Sequence, residues 1–455
     1  MPRRLFGTNG IRGVVNRELT PEFITKLGLS IGTFFNGGKI LLGSDCRTSS
    51  PAIKSTISGA LQSMGCKVVD TGSVPTPALQ YCVPHYRMDG GVMITASHNP
   101  PEYNGLKVVA ADGVELDRER EMVIEEIFES EQFRRADWNK LVPPEEQEQV
   151  LRVYGQAIVK QVDAKAIGEA DLCVAVDPGN GVTALAYPQI FNDLGCRVPT
   201  INADIDGSFR VRGSEPRPDN VKLLSSLVKA YDADLGVAFD GDGDRSIFVD
   251  EKGQPYFGDM SFALIAQDFL SRHPGEKVVT SVSSTQTVRE VIENSGGHVV
   301  WTKVGAVTIS RTMLSVGALL GGEENGGVMY GPHLQVRDGA MATALILEIL
   351  ARKRRPVSQL FAELPKYFQY KDRVDCPEAK KQEALELLRS RVKADRVETL
   401  DGVKVWYADG SAILVRPSGT EPIFRIYAEA KTKRRVQKLG LEFKELLVEI
   451  VDRVK

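Results

Sequence analysis

Short apolar runs carrying β-branched residues recur along the chain, and they recur in pairs. KILLGSD (39–45), LCVAVDPGNG (172–181) and EKVVTSVSS (276–284) each have the apolar middle and polar ends of a buried strand. A stretch of helical length follows each one. Next comes a glycine that can close a helix, and then a second strand: GCKVVDTG (65–72), GCRVPTIN (195–202) and GGHVVWTKVG (296–305). Strand, helix and strand, three times over, predict βαβ units in three related domains. Each copy then runs into a further apolar segment that breaks into an unusual polar loop: TASHN in the first, DGDGDR in the second, GGEENGG in the third. Open α/β sheets bind ligands beyond the carboxyl ends of their strands, so three such domains can aim these loops at one cleft.

Past residue 365 the pattern changes. VKVWYADGSAILVRPSGTEPIFRIYAEA reads as strands with turns at Asp409-Gly410 and around Pro417, and RRVQKLGLEFKELLVEIVDRVK as an amphipathic terminal helix. The expected fold class is α/β: three related mixed α/β domains with central sheets plus a smaller α+β domain around one cleft. Polar, proline-bearing stretches place the boundaries at residues 1–150, 151–252, 253–365 and 366–455.

Composition narrows the chemistry. The 455 residues are 42% apolar and 26% charged with a net charge of −3, which gives no global attraction for nucleic acid or an anionic membrane. Any anion site must be local, and small molecules are the expected partners. Cys46, Cys66, Cys82, Cys173, Cys196 and Cys376 form no CxxC pair and read as reduced. MPRRLFGTNGIRG lacks the apolar segment of a secretory signal, and no run of about 18 apolar residues occurs; the expectation is a soluble cytoplasmic protein.

The loops carry residue types suited to charge. In VAFDGDGDRSIFV, Asp240, Asp242 and Asp244 alternate with glycines, and in an extended backbone their carboxylates converge on one side. Such oxygen ligands suit a hard divalent cation, with Mg²⁺ expected because it accompanies phosphate chemistry. A hairpin turn explains one Asp-Gly pair better than three. An EF-hand is excluded because Arg245 stands where its loop needs glycine. In VRPSGTEP, Arg416, Ser418, Gly419 and Thr420 make either a phosphate cradle or a plain turn. GGEENGG sets Glu323, Glu324 and Asn325 among glycines, open to a polyhydroxylated ligand or to solvent. His98, adjacent to Ser97 on an extended chain, is expected to point to the opposite face. Lys107 ends the NGLK strand near the same loop. GTFFNGGK fails as a P-loop, whereas Gly179, Gly181 and Ala184 fit a dinucleotide fingerprint, with Asp204 as ribose acceptor.

TASHNP, DGDGDR, GGEENGG and RPSGTEP in this order, with GTNGIRG and SDCR (44–47) near the start, resemble the α-D-phosphohexomutase superfamily along essentially the whole chain. GGEENGG resembles the loop of archaeal-type phosphoglucosamine mutases and phosphomannomutase/phosphoglucomutases. The resemblance implies a phosphoryl group carried on Ser97, and Mg²⁺ held by Ser97, Asp240, Asp242 and Asp244. It implies a hexose or hexosamine 1-phosphate converted to the 6-phosphate through a 1,6-bisphosphate, which also acts as activator. Lys107, Arg12 and His98 would be catalytic. Arg245, Lys303, Glu323 and Asn325 would contact the substrate, while Arg416, Ser418, Gly419 and Thr420 would hold the phosphate that is not reacting. Three departures bear on substrate choice: Ala306 where relatives have histidine or aspartate, Gly327 where bacterial members have histidine, and Asn325 in place of their serine. Pentose phosphates, an aspartyl-phosphatase of the haloacid-dehalogenase type using Asp240, and a non-catalytic sugar-phosphate or dinucleotide-binding regulator stay open at this point.

Overall fold

The computed structural model describes residues 4–419 and 421–454. β1 (Ile11–Val14), β2 (Lys39–Ser44), β3 (Lys67–Ser73), β4 (Gly90–Ile94), β5 (Tyr103–Ala110) and β6 (Glu145–Glu146) form one sheet in the order β1-β5-β4-β2-β3-β6. β2 is parallel to both β3 and β4, and β5 returns antiparallel to β4. A second sheet holds β7 (Val174–Asp177), parallel to β8 (Leu235–Phe239), with β9 (Ser246–Asp250) antiparallel to β8. The third contains β10 (Lys277–Ser281), β11 (His298–Thr302), β12 (Leu320–Gly322), β13 (Val328–Tyr330) and β14 (Leu334–Arg337), ordered β11-β10-β12-β13-β14.

The repeat predicted from sequence is therefore a repeat of topology. In each sheet the third strand of the copy (β4, β8, β12) runs parallel to the first, and the chain then reverses into an antiparallel fourth. The three polar loops are the three turns at that reversal. One strand departs from expectation: residues 195–202 lie alongside β7 but make only the parallel bridges Cys173↔Arg197 and Val176↔Thr200. Pro199 has no N–H to extend the ladder, although its carbonyl accepts from Val176.

β15 (Phe368–Asp375), β16 (Arg396–Glu398), β17 (Val403–Trp406), β18 (Ala412–Pro417) and β19 (Ile423–Ala430) form the fourth sheet, antiparallel throughout in the order β15-β19-β18-β17-β16. The helices Lys381–Arg391 and Lys433–Arg453 belong to this domain. One apolar core runs from Leu41 and Met93 of the first domain through Phe191 and Phe239 of the second to Leu345 of the third. At its centre the helix Gly339–Lys353, capped by Asp338, is buried at every position through Ala351, as an all-round apolar helix must be. The fourth domain packs Val415, Phe424 and Phe443 into a core of its own. Among the described residues no helix is long and apolar enough to cross a membrane.

Candidate active site

Ser97 occupies the reversal between β4 and β5 and is fully buried. Its φ of 51° lies in the left-handed region, a conformation that serine holds only when its surroundings impose it. Arg47 is the imposing group. Its guanidinium donates to the carbonyls of Ser97 (2.8 Å), Asn99 (2.6 Å), Pro100 (2.7 Å) and Tyr103 (3.0 Å), and it pairs with Asp45 at 3.1 Å. The turn also overturns the expectation for His98: positive φ breaks the alternation of an extended chain, and His98 Nδ1 lies 3.3 Å from Ser97 Oγ. The Arg245 cation, then burial, push the imidazole far below its ordinary pKa, so it is neutral.

Ser97 Oγ donates to Asp240 Oδ2 at 2.8 Å across the boundary between the first two domains. Asp240, Asp242 and Asp244 present ligand atoms within 4.8 Å of one another, all buried. They converge through a tight turn, in which Gly243 N–H bonds to Asp240 O at 3.2 Å, and not along the extended backbone expected. The turn sits close to the serine loop; a Cβ on Gly241 would lie 2.6 Å from Ser97 O. Lys107, expected near the loop, is 1% exposed and donates to Asp242 Oδ2 at 2.8 Å and Asp244 Oδ2 at 2.9 Å. Burial works against its charge, but Asp242, Asp244 and Glu115 more than offset this and hold its pKa above the ordinary value. Burial, then the neighbouring Asp244 and Asp242 charges, push Asp240 well up. In Asp242 and Asp244 the upward push of burial is outweighed, chiefly by Lys107 and Arg337 respectively, and both sit low.

Asp242 Oδ1 and Asp244 Oδ1 are buried with no hydrogen-bond partner, so the cluster fits a hard divalent cation that would take these oxygens. Arg12 lies beside it, donating to Ala96 O at 3.1 Å and Asn99 Oδ1 at 2.7 Å. Arg245 is 3.7 Å from Asp244 and from Glu215.

The loop between β12 and β13 faces the same cluster. Ser246 N–H bonds to Gly326 O at 3.2 Å, Glu323 accepts from Arg337 at 3.1 Å, and Asn325 bonds to Gly327 N–H. From the fourth domain, Arg416 is held by Asp401 Oδ2 at 3.0 Å, and the same oxygen accepts from Val304 N–H at 3.0 Å. Ser418 Oγ accepts from Glu421 N–H at 3.2 Å. The tip at Gly419 comes close to Thr8 of the first domain. Lys303 is exposed beside these groups, and Ala306 opens the helix Ala306–Val316. Thr420 falls outside the described residues.

Residues 3–135, 152–253 and 257–368 match the family models for phosphoglucomutase/phosphomannomutase alpha/beta/alpha domains I, II and III, and residues 373–446 match the model for the C-terminal domain. A phosphoglucomutase/phosphomannomutase of Thermococcus kodakarensis is 40% identical over 99% of this chain and 98% of its own. A phosphoglucosamine/phosphogalactosamine mutase of Sulfurisphaera tokodaii is 44% identical over 98% of this chain and 99% of its own. The chain belongs to the α-D-phosphohexomutase superfamily. A phosphoglucomutase/phosphomannomutase family protein from Burkholderia thailandensis superimposes with a TM-score of 0.89 at 28% identity, covering 99% of this chain and 98% of that one.

This phosphohexomutase moves a phosphoryl group between positions of a sugar phosphate, and its cleft contains residues that motif reading did not single out. Arg47 lies in the SDCR signature, but its work on four carbonyls between residues 97 and 103 is visible only in the fold. Thr76 donates to Asp242 Oδ2 at 2.6 Å. Arg337 joins Asp244 to Glu323, and nothing in QVRDG announces it. The dinucleotide fingerprint does not survive: a Cβ on Gly179 would meet Arg212 Nη2 at 2.3 Å. Arg212 occupies that space and pairs with Asp177 at 2.7 Å, and the loop leads into the short 3₁₀ turn Val182–Leu185 before the seven-residue helix Tyr187–Asp193.

Proposed function

We propose that the chain interconverts the 1-phosphate and 6-phosphate of an aldohexose or 2-amino-2-deoxyhexose through a phosphoserine at Ser97 and a sugar 1,6-bisphosphate. The observation that carries this reading is Ser97 Oγ, 2.8 Å from Asp240 at the edge of three converging carboxylates. Asp240, Asp242, Asp244 and an oxygen on Ser97 would hold Mg²⁺, which when bound offsets the charge of the phosphoryl oxygens. In the first transfer the O–P bond to Ser97 breaks as the free hydroxyl of the sugar 1-phosphate bonds to phosphorus, and the hydroxyl's proton ends on Ser97 Oγ. Lys107, Arg12 and Arg245 place positive charge around the transfer, where positioning and electrostatics do most of the work. Neutral His98 hydrogen-bonds the serine oxygen between transfers. The bisphosphate then turns end for end, its other phosphoryl group returns to Ser97 and the 6-phosphate leaves. Arg416, Ser418, Gly419 and Thr420 would hold the phosphate that is not reacting, Glu323 and Asn325 would grip hydroxyls, and Lys303 would reach the substrate from the rim. Added 1,6-bisphosphate would prime the serine.

Within this reaction hexosamine phosphates are the preferred substrates. Glu324 lines a cleft of about 570 Å³ with Arg217, Lys371 and Tyr427, and its Oε2 is buried without a partner. A substrate ammonium supplies the missing donor and adds to the positive charge of Lys371 beside Glu324. The Sulfurisphaera relative's description agrees with this preference, and the Thermococcus relative's supports hexose phosphates as the second substrates.

Intact mass tests the phosphoserine. Incubation with glucose 1,6-bisphosphate is expected to add one HPO₃, mapped by peptide sequencing to Ser97. Ser97→Ala should gain nothing and lose turnover; full turnover in that variant, or the label on Asp240, would discard the reading. Glu324→Gln is expected to lower kcat/KM for glucosamine 1-phosphate about tenfold relative to glucose 1-phosphate, and equal losses on both sugars would discard the amine assignment.

A further inference from the structure

Arg337 ends β14, and its side chain runs inward between loops of different domains with 5% exposure. Nη1 donates to Glu323 Oε2 at 3.1 Å and Nη2 to Asp244 Oδ2 at 2.5 Å. One planar fork thus ties the sugar loop of the third domain to the aspartate turn of the second. The first domain reaches the same group. With its amide nitrogen turned toward Glu115, Asn9 donates to Glu115 Oε1 at 2.9 Å and accepts from Arg337 Nη2 at 2.5 Å.

The path of this side chain depends on Gly327. A Cβ there would lie 2.3 Å from Arg337 Cδ and 2.8 Å from Cγ. These are atoms of the stem, so rotating the guanidinium alone relieves nothing, and a histidine at 327 would exclude Arg337 from its present place. A missing side chain in one loop and a cation in the next strand are two halves of one arrangement.

We infer that Arg337, given its room by Gly327, is a positioning residue for phosphoryl transfer. By occupying Asp244 Oδ2 together with Lys107 it leaves Oδ1, which has no hydrogen-bond partner, to the aspartate cluster. By occupying Glu323 in the same plane it fixes the sugar loop relative to that oxygen. Without the fork Asp244 Oδ2 keeps only Lys107, at 2.9 Å, as a partner, and Glu323 loses the cation that orients it. A group held to within a fraction of an ångström by an outer partner loses rate when the partner goes, even though that partner never touches the reacting atoms.

The kinetic consequence rests on the mutase reading, so the test has one arm that uses it and one that does not. Gly327→Ala and Arg337→Ala are each expected to lower kcat for a sugar 1-phosphate by up to about 100-fold with a smaller change in KM. The double variant should be little slower than Arg337→Ala, because without the stem an alanine at 327 meets only Asn325 Oδ1, at 3.3 Å. Parent-like kcat in Gly327→Ala, or losses that multiply in the double variant, would overturn the inference. In the second arm Mn²⁺ is titrated into each protein without sugar, and both single variants are expected to bind it at least about tenfold differently from the parent. Parent-like Mn²⁺ affinity in Arg337→Ala overturns the inference even where the parent is an active mutase. A parent inactive on every sugar phosphate, with the Mn²⁺ differences present, leaves the inference standing and removes the mutase reading. Where near-ultraviolet circular dichroism shows that Arg337→Ala is not folded, Arg337→Lys, which keeps the charge and loses the fork, takes its place in both arms.

Discussion

A serine in the left-handed region has to be paid for by its neighbours, and Arg47 is the neighbour with the most contacts. It is fully buried with its partner Asp45, and four of its hydrogen bonds end on carbonyls of the turn that displays Ser97. Removing one member of a buried pair leaves the other charge unpaired, at a cost of about 3–5 kcal/mol. Arg47→Met is therefore expected to lower the unfolding free energy by about that amount in urea titrations and to slow labelling of Ser97 by a bisphosphate. An undiminished labelling rate in the folded variant would show that the turn holds its own shape. The sequence made Ser97 and the three aspartates legible because residue type and spacing survive without coordinates. It hid Arg47 and Arg337, whose partners are carbonyls or carboxylates brought together only by folding. His98 was placed on the wrong face for a related reason, since strict alternation holds only while φ stays negative.

The unit repeated three times is a strand order with one functional turn at a fixed place in it, and the polar loops inherit their common direction from that order. Hydrophobic patterning read this well, because period and breaks were enough to find the turns. It failed at residues 195–202, where an apolar run with a proline makes bridges instead of a ladder, and at Asp240–Asp244, where a turn does the converging. The fourth domain uses a different device. The turn between β18 and β19 is closed from beneath by Lys381, which is 5% exposed and donates to Ser418 O at 2.7 Å and Glu421 O at 2.8 Å. Charged hydrogen bonds of this kind contribute about 1.5–3 kcal/mol each. Lys381→Met is expected to raise KM for the sugar phosphate about tenfold while Mn²⁺ binding at the aspartates stays as in the parent, because the two loops lie in different domains. A fall in kcat with KM unchanged would mean that the turn serves the chemistry and not the holding of phosphate.

The first three domains share one apolar core and the fourth has its own, so the joint between the third and fourth is where the molecule can open to let a bisphosphate turn. That joint is polar and buried. Gln286 N–H donates to Glu429 Oε2 at 3.0 Å, and Lys404 donates to Val282 O at 2.7 Å while lying 4.6 Å from the ring of Trp301 and 4.8 Å from that of Trp406. Burial brings the Lys404 pKa down to about 8, against the opposite pull of Glu429 and Glu398. Burial takes Glu429 up to about 7, although Lys404 and Lys371 lower it. A lysine whose docked pKa is depressed holds fewer protons docked than exposed, so docking strengthens as pH rises from about 8 toward the ordinary lysine value. A carboxyl whose docked pKa is raised holds more protons docked, so docking weakens as pH rises from the ordinary glutamate value to about 7. Between those two pKa values both groups are charged in the docked state at full desolvation cost, and the joint is weakest there. Amide exchange at Gln286, corrected for intrinsic rate, is expected to be faster at about pH 7.5 than at about pH 5.5. Glu429→Gln should reduce the change between these pH values, because of the two titrations it removes the one that falls in the window. If the variant kept the full slope, the opening of the cleft would have to be assigned to other groups at the same joint, of which Asp259, pushed up to about 8 by burial and the Glu324 charge, is the next to replace.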